Sequence, residues 1–352
     1  MADAAGLVQS GDLLAATALI QDASRLHATQ PAADDVLSAI KSRLGTLTGT
    51  RAANDVVEVV DGPTSVVRDS GRFIDGSLAF DGLQARYKLF IPGVPAAEPQ
   101  LIVLLHGCTQ DPDDFAAGTA MNVRAEQQGF YVLYPMQSAA ANPSRCWNWY
   151  RPDDQQRDRG EPALIAGMTR DVIDRYGIDA DRVYAAGLSA GGAMAAILGS
   201  RYPELFAAVG VHSGLPAGAA ANIPDALSAM RSGTRRGQRT ATPLAAQVPT
   251  IVFHGDRDTT VHPVNGESVI DDVVVGADAP AVVKGQAPGG KGYSNSTYRD
   301  VEGKVVAEHW IVHGLAHAWS GGNPEGTHTD ADGPSATDEM LRFFGEHTMR
   351  HR

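Results

Sequence analysis

The sequence is poor in cysteine: Cys108 and Cys146 are the only two in 352 residues. Two thiols cannot frame a small disulfide-stapled domain, although one bridge between them remains open. Long apolar runs are missing as well. Nothing approaches the roughly 18 consecutive apolar residues of a membrane span. Positive charge is scarce, with 29 Lys and Arg against 41 Asp and Glu and a formal net charge of -12. Such a surface repels phosphate backbones and anionic membranes, so neither nucleic acid nor membrane is expected as a partner. The opening "MADAAGLVQSGDLLAATALIQDASRLH" has no Lys or Arg before its apolar part, and Gln9 and Asp12 interrupt that part. It does not read as a secretory signal, so a cytoplasmic chain is expected, with secretion or a periplasmic location left open. No repeat of fixed period is present, which sets aside solenoids and propellers.

What is present is enough apolar sequence, 43% of residues, for a sizeable core. Apolar residues at helical spacing (Leu7, Leu14, Ile20, then Val36, Ile40, Leu44) predict two short helices in residues 5–45, parted by Pro31. Residues 46–75 are polar and read as a linker, so the chain divides into a helical N-terminal extension and linker (1–75) and a main domain (76–352). In the main domain "ARYKLFIP", "QLIVLLHG", "FYVLYP", "DRVYAAG", "AAVGVHSG", "PTIVFHGD" and "EHWIVHG" read as strands. Helices are expected at 115–128, 161–176, 192–201 and 335–348. Strands that alternate with helices predict an α/β fold, a mostly parallel sheet covered by helices on both faces. Ligands in such sheets bind beyond the carboxyl ends of the strands, and the chemistry should lie there.

One strand end carries Gly187-Leu188-Ser189-Ala190-Gly191, a G-x-S-x-G pentapeptide between a strand and a helix. That context is the one in which a sharp turn lifts a serine above a sheet as a nucleophile. Small neighbours let the helix pack close to the strand, and the backbone N–H of Ala190 is aimed where an oxyanion would form. A glycine-rich connection in an inert protein is the bland alternative, and the flanking pattern argues against it.

A serine hydroxyl needs a base, and the base an orienting acid. After "PTIVFHG" come Asp256 and Asp258; Asp258, further into the turn, is the candidate acid, and Asp256 is expected to brace the loop. After "EHWIVHG" comes His317, the candidate base, with His313 as runner-up. The chain order Ser189, Asp258, His317 is the one expected of such a sheet. His309, His313 and His317 are spaced four apart, which on a helix would suggest metal ligands. The segment reads as strand, so no metal site is expected. His106 and His254, each before a glycine at a strand end, are expected to hold loops by hydrogen bonds.

The loop after "LIVLLHG" should supply a second oxyanion donor, the N–H of Cys108. Cys146 sits in "NPSRCWNWYRP", and a Cys108–Cys146 bridge would pin that loop on the oxyanion loop; a reducing cytoplasm would disfavour it. Trp147, Trp149 and Trp319 fall in loops at strand ends. They are candidates for an apolar substrate-binding floor, with burial in the core as the alternative. Arg231, Arg235, Arg236 and Arg239 form a basic run on an acidic chain, ordinarily a solvated loop.

Taken together, "LLHGCTQDPDDFAAGTAMN", "NPSRCWNWY", "GEPALIAGMTRDVI", "GLSAGGAMAA", "HGDRDTTVHPVNGE" and "HGLAHAWSGG" resemble the polyhydroxybutyrate-depolymerase-like esterases of the α/β-hydrolase superfamily. The resemblance covers roughly residues 80–346, with six motifs in order. It implies an α/β-hydrolase fold, Ser189 as nucleophile, Asp258 as acid, His317 as base, and Cys108 and Ala190 as oxyanion donors. It implies an esterase acting on short polyesters such as 3-hydroxybutyrate oligomers, or on feruloyl or acetyl esters of plant polysaccharides. Some members act on poly(aspartic acid), so amide cleavage in an anionic polymer is the alternative, with the arginine run as its only support. The lack of a recognisable leader and of a polymer-binding domain argues against solid polyester. A non-catalytic binding protein on this fold would be expected to lack part of the triad. No cofactor is implied. The oligomeric state is not readable from the pattern, although the N-terminal helices could join a homodimer.

Overall fold

Parallel strands buried on both faces must be largely apolar, and five central segments meet that condition, with Thr250, His212 and His254 as buried polar exceptions. In the computed structural model they are β3 (Leu101–Leu105), β4 (Tyr131–Met136), β5 (Val183–Leu188), β6 (Ala208–His212) and β7 (Thr250–Gly255), almost entirely buried. The structure describes residues 70–80, 83–234, 248–275 and 277–349. The expected N-terminal helices, and Arg235, Arg236 and Arg239, lie outside the described residues.

The remaining strands of the main sheet are β1 (Arg72–Phe80), β2 (Leu83–Ile91), β8 (Ala281–Gln286), β9 (Gly292–Arg299) and β10 (Val305–Val312). The order across the ten-stranded sheet is β1-β2-β4-β3-β5-β6-β7-β10-β9-β8. From β4 to β10 every pairing is parallel; β1 and β2 at one side and β9 and β8 at the other are antiparallel. The expected mostly parallel sheet is thus present, with antiparallel margins that the sequence reading did not anticipate. The linker expected to reach residue 75 ends earlier, since Arg72 to Asp75 already pair with β2.

Seven helices are described: α1 (Pro112–Thr119), α2 (Met121–Gln128), α3 (Gly160–Tyr176), α4 (Ala190–Arg201), α5 (Ile223–Ser232), α6 (Val264–Val273) and α7 (Ala336–Gly345). Alternate residues along β3 and β5 divide between two cores. Leu101, Val103, Leu105, Val183 and Ala185 pack with the helices α3, α4 and α6. Ile102, Leu104, Tyr184, Ala186 and Leu188 pack with α1, α2 and α7 on the other face. Both faces are therefore covered, as the alternating pattern required. The single helix expected at 115–128 is two, because Ala120 takes a left-handed conformation (φ 52) and closes α1 through its N–H to Ala117 O. Asp111 caps the start of α1 through Asp114 N–H at 3.1 Å. The helices α5 and α6 and the short pair β11 (Trp319–Ser320) with β12 (Thr329–Asp330) are further elements not anticipated from sequence.

Candidate active site

Ser189 stands between β5 and α4 with φ 58 and ψ -118. That is a backbone conformation side chains rarely adopt, and its strain is held by the elements on either side. The flanking glycines serve close approach. A Cβ on Gly191 would lie 2.1 Å from Leu105 O, and one on Gly187 would lie 2.4 Å from the Gly191 carbonyl carbon. The helix start therefore packs directly on the backbone of β5 and β3, and the turn has nowhere to relax. The Ser189 N–H is fixed to His212 O at 2.9 Å. Its half-buried side chain makes no hydrogen bond among the described residues.

Asp258 and His317 come together from two neighbouring strand ends. β7 and β10 are paired parallel, so the loops that follow them lie side by side. His317 Nδ1 is 2.7 Å from Asp258 Oδ2, and the Asp258 side chain is fully buried. Asp258 Oδ1 accepts the N–H groups of Thr260 (2.9 Å) and Val261 (2.8 Å). Burial alone would raise the carboxyl; its interactions with His317 and His254 outweigh it and hold Asp258 well below the usual carboxylate range. An ionised carboxylate only accepts, so His317 Nδ1 carries the proton and its Nε2 presents a lone pair.

The runner-up histidine has its own partners. His313 Nδ1 is 2.9 Å from Asp256 Oδ2, and its Nε2 is 3.0 Å from Ser294 Oγ. Asp256 also accepts Gly314 N–H at 2.7 Å, so it braces the loop after β10. The connectivity imitates a triad, but Ser294 lies within β9, paired on both sides with Lys284 and Ile311. A strand interior presents no convergent pair of N–H groups for an oxyanion. β10 is a strand, so His309, His313 and His317 do not share a helical face.

The loop after β3 is held on every side. Gly107 N–H donates to Gln110 Oε1 (2.9 Å), and Thr109 N–H to Ser144 O (2.7 Å), leaving the Cys108 N–H between them. His106 is buried, which pushes it down to about 4, and is neutral at pH 7. Its Nδ1–H donates to Gly107 O (2.7 Å), and its Nε2 accepts Gln137 N–H (3.2 Å). His254 Nε2 donates to Val261 O at 2.9 Å. Cys108 and Cys146 form a disulfide, tying the loop after β3 to the aromatic segment.

The tryptophans correct the expectation of an open apolar floor. Trp319 is 1% exposed; it stacks on His212, meets Phe115 edge-on, and donates to Thr337 Oγ1 at 3.0 Å. It belongs to the core beneath the site. Trp147 (3%) and Trp149 (5%) are buried too. Trp147 donates from its indole N–H to His106 O at 3.1 Å, and Trp149 packs edge-on against Tyr150. The physical reason is common to all three: a large ring gains most by burial, and the indole N–H of Trp147 and of Trp319 finds a protein acceptor inside.

This architecture has counterparts among solved structures. Acetyl xylan esterase from Aspergillus awamori matches with a TM-score of 0.61 at 21% identity, over 78% of this chain and 99% of that one. An S-formylglutathione hydrolase from Agrobacterium tumefaciens matches with a TM-score of 0.52 at 13% identity, over 79% and 96%. At such identities the likeness is one of fold, and the fold is that of the α/β-hydrolases. Sequence comparison sets the family: the profile described as Esterase PHB depolymerase matches residues 85–283, more than half of the chain. The chain belongs to that family. Its matched span holds Cys108, Ser189 and Asp258; His317 lies beyond it. Poly(3-hydroxyalkanoate) depolymerase C of Paucimonas lemoignei is 30% identical over 64% of this chain and 56% of its own length. A probable acetylxylan esterase A of Neosartorya fischeri is 28% identical over 62% and 61%. Feruloyl esterase B of Thermothelomyces thermophilus is 30% identical over 52% and 67%. The chain spans between half and about three fifths of the length of the first curated relatives it matches.

Proposed function

We propose that the chain is a serine carboxylesterase working through Ser189, His317 and Asp258 and a covalent acyl-enzyme. The observation that carries this is the Asp258–His317 pair at 2.7 Å, at the same end of the parallel sheet as the strained Ser189 turn. Ser189 Oγ attacks the ester carbonyl carbon while His317 Nε2 takes its proton. The C–O bond to the leaving alcohol breaks as His317 returns the proton to it. Water, activated by the same nitrogen, then releases the acid and frees Ser189. The N–H groups of Cys108 and Ala190 face the developing oxyanion, each in a backbone position fixed by its neighbours. The substrate class is a short polyester such as a 3-hydroxybutyrate oligomer, or a feruloyl or acetyl ester; relatives named for each kind support it.

The test is mass spectrometry of products from two soluble oligomers, one of 3-hydroxybutyrate and one of aspartate, with wild type and Ser189→Ala. Cleavage of the ester alone is expected, lower by at least about 10³-fold in the variant. Undiminished activity in Ser189→Ala sinks the triad. Ser189-dependent cleavage of the aspartyl oligomer would move the substrate to an anionic polyamide with the triad intact.

A further inference from the structure

Behind the oxyanion loop lies a buried carboxylate that the reaction does not use. Glu161 opens α3, and its own N–H is held by Asp154 Oδ1 at 2.8 Å. Its carboxylate accepts only N–H donors: Gln137 Nε2 and Asn148 Nδ2 on Oε1 and the Asn148 backbone N–H, at 2.7 Å, on Oε2. Those partners lead straight to the loop after β3. Gln137 Nε2 also donates to Cys146 O (2.9 Å), and Gln137 N–H donates to His106 Nε2 (3.2 Å). Cys146 is bonded to Cys108, and the neighbouring Trp147 indole holds His106 O.

We propose that Glu161 is a positioning residue for ester hydrolysis: by gathering Gln137 and Asn148 it fixes the Cys146 segment and, through it, the Cys108 N–H that meets the oxyanion. The inference rests on the reading of Cys108 as an oxyanion donor. The group is costly to keep there. Burial, with Asp154 beside it, pushes Glu161 up to about 7, against the pull of its hydrogen-bond donors. A neutral glutamine would fill the same space without the cost of burying a charge. It would, however, turn an amide N–H toward a donor, because three N–H groups converge on two oxygens. The carboxylate is the side chain of that length that satisfies all three.

Glu161→Gln is therefore expected to lower kcat per active site about 10- to 100-fold, with KM within about twofold of wild type, because a displaced oxyanion donor weakens transition-state binding. Active sites are counted by stoichiometric labelling of Ser189 with a fluorophosphonate, so misfolded protein drops out of the rate. Normal kcat per labelled site, or a loss borne by KM alone, overturns the inference. Gln137→Leu carries the same test should Glu161→Gln fail to fold: it cuts the link from Glu161 to Cys146 O and leaves the charge, and kcat per labelled site should again fall. A normal value there overturns the inference as well. Ser189→Ala, assayed alongside, separates the two levels. Turnover by that variant removes the reading on which the inference stands, whereas an inactive Ser189→Ala with a normal Glu161→Gln removes the inference alone.

Discussion

Asp258 shows how one carboxylate sets the proton inventory of a site. Its charge, kept by His317, His254 and two backbone N–H groups, forces the His317 proton onto Nδ1. Asp258→Asn can present an amide N–H to that nitrogen, which favours the other tautomer and removes the base. A loss of about 10³- to 10⁴-fold in kcat is expected, the size seen when the same change is made in other triads. A variant within tenfold of wild type would show that His317 is oriented by something else. The same depressed pKa has a consequence for stability, and its sign is definite. A folded carboxylate with a pKa below its unfolded value stabilises above about pH 4 and loses that contribution as pH falls through the folded pKa. The difference in Tm between wild type and Asp258→Asn should therefore shrink as pH falls below about 4. A constant difference across that range would contradict the assignment of the charge.

At the scale of elements, the turn between β5 and α4 works by contact between backbones. A methyl on Gly191 would sit 2.1 Å from Leu105 O and 2.6 Å from His106 O, neither of which is a flexible side-chain end. Gly191→Ala should destabilise by about 2–3 kcal/mol, roughly 5–10 °C in Tm, and slow turnover by shifting the start of α4. Thermal melts and steady-state rates check both, and wild-type values in each would refute the packing argument. The sequence spoke clearly where one physical demand dominated. Strands buried on both faces are uninterrupted apolar runs, so β3 to β7 and β10 were legible, and with them the strand ends that carry Ser189, Asp258 and His317. The margins were not. β8 is exposed along most of its length, its short Ala281-Val282-Val283 run included, and β9 carries a polar run, so neither reads as a buried strand. β1 holds Gly76 where the Tyr87 ring crosses it, a glycine that reads as a loop until its partner is known. The tryptophans failed for another reason. Position after a strand end does not tell whether a ring turns outward to a ligand or inward, and here the inward acceptors His106 O and Thr337 Oγ1 decide.

Across the whole molecule, connections distant in sequence hold the carboxyl end of the parallel strands together. The Cys108–Cys146 bridge closes a loop of 38 residues around β4, which by chain entropy stabilises the fold by about 3–4 kcal/mol. Replacing both cysteines by serine should lower Tm by roughly 10 °C and, on the proposed role of the Cys108 N–H, reduce kcat more than KM. An unchanged melting temperature would mean that Gln110, Ser144 and Trp147 hold that loop unaided. On the opposite face, Arg124 of α2 pairs with Asp338 of α7, and Tyr184 of β5 donates to His347 O beyond α7, so the last helix is tied to the first half of the sheet. The slot for β10 lies between β7 and the β9 margin, and it is filled late in the chain. A nascent chain on the ribosome consequently holds Cys108, Ser189 and Asp258 well before His317 emerges to meet them. On the proposed mechanism, cleavage begins only when β10 zips into place. The onset of that proposed activity during synthesis is then a clock for the closing of the sheet.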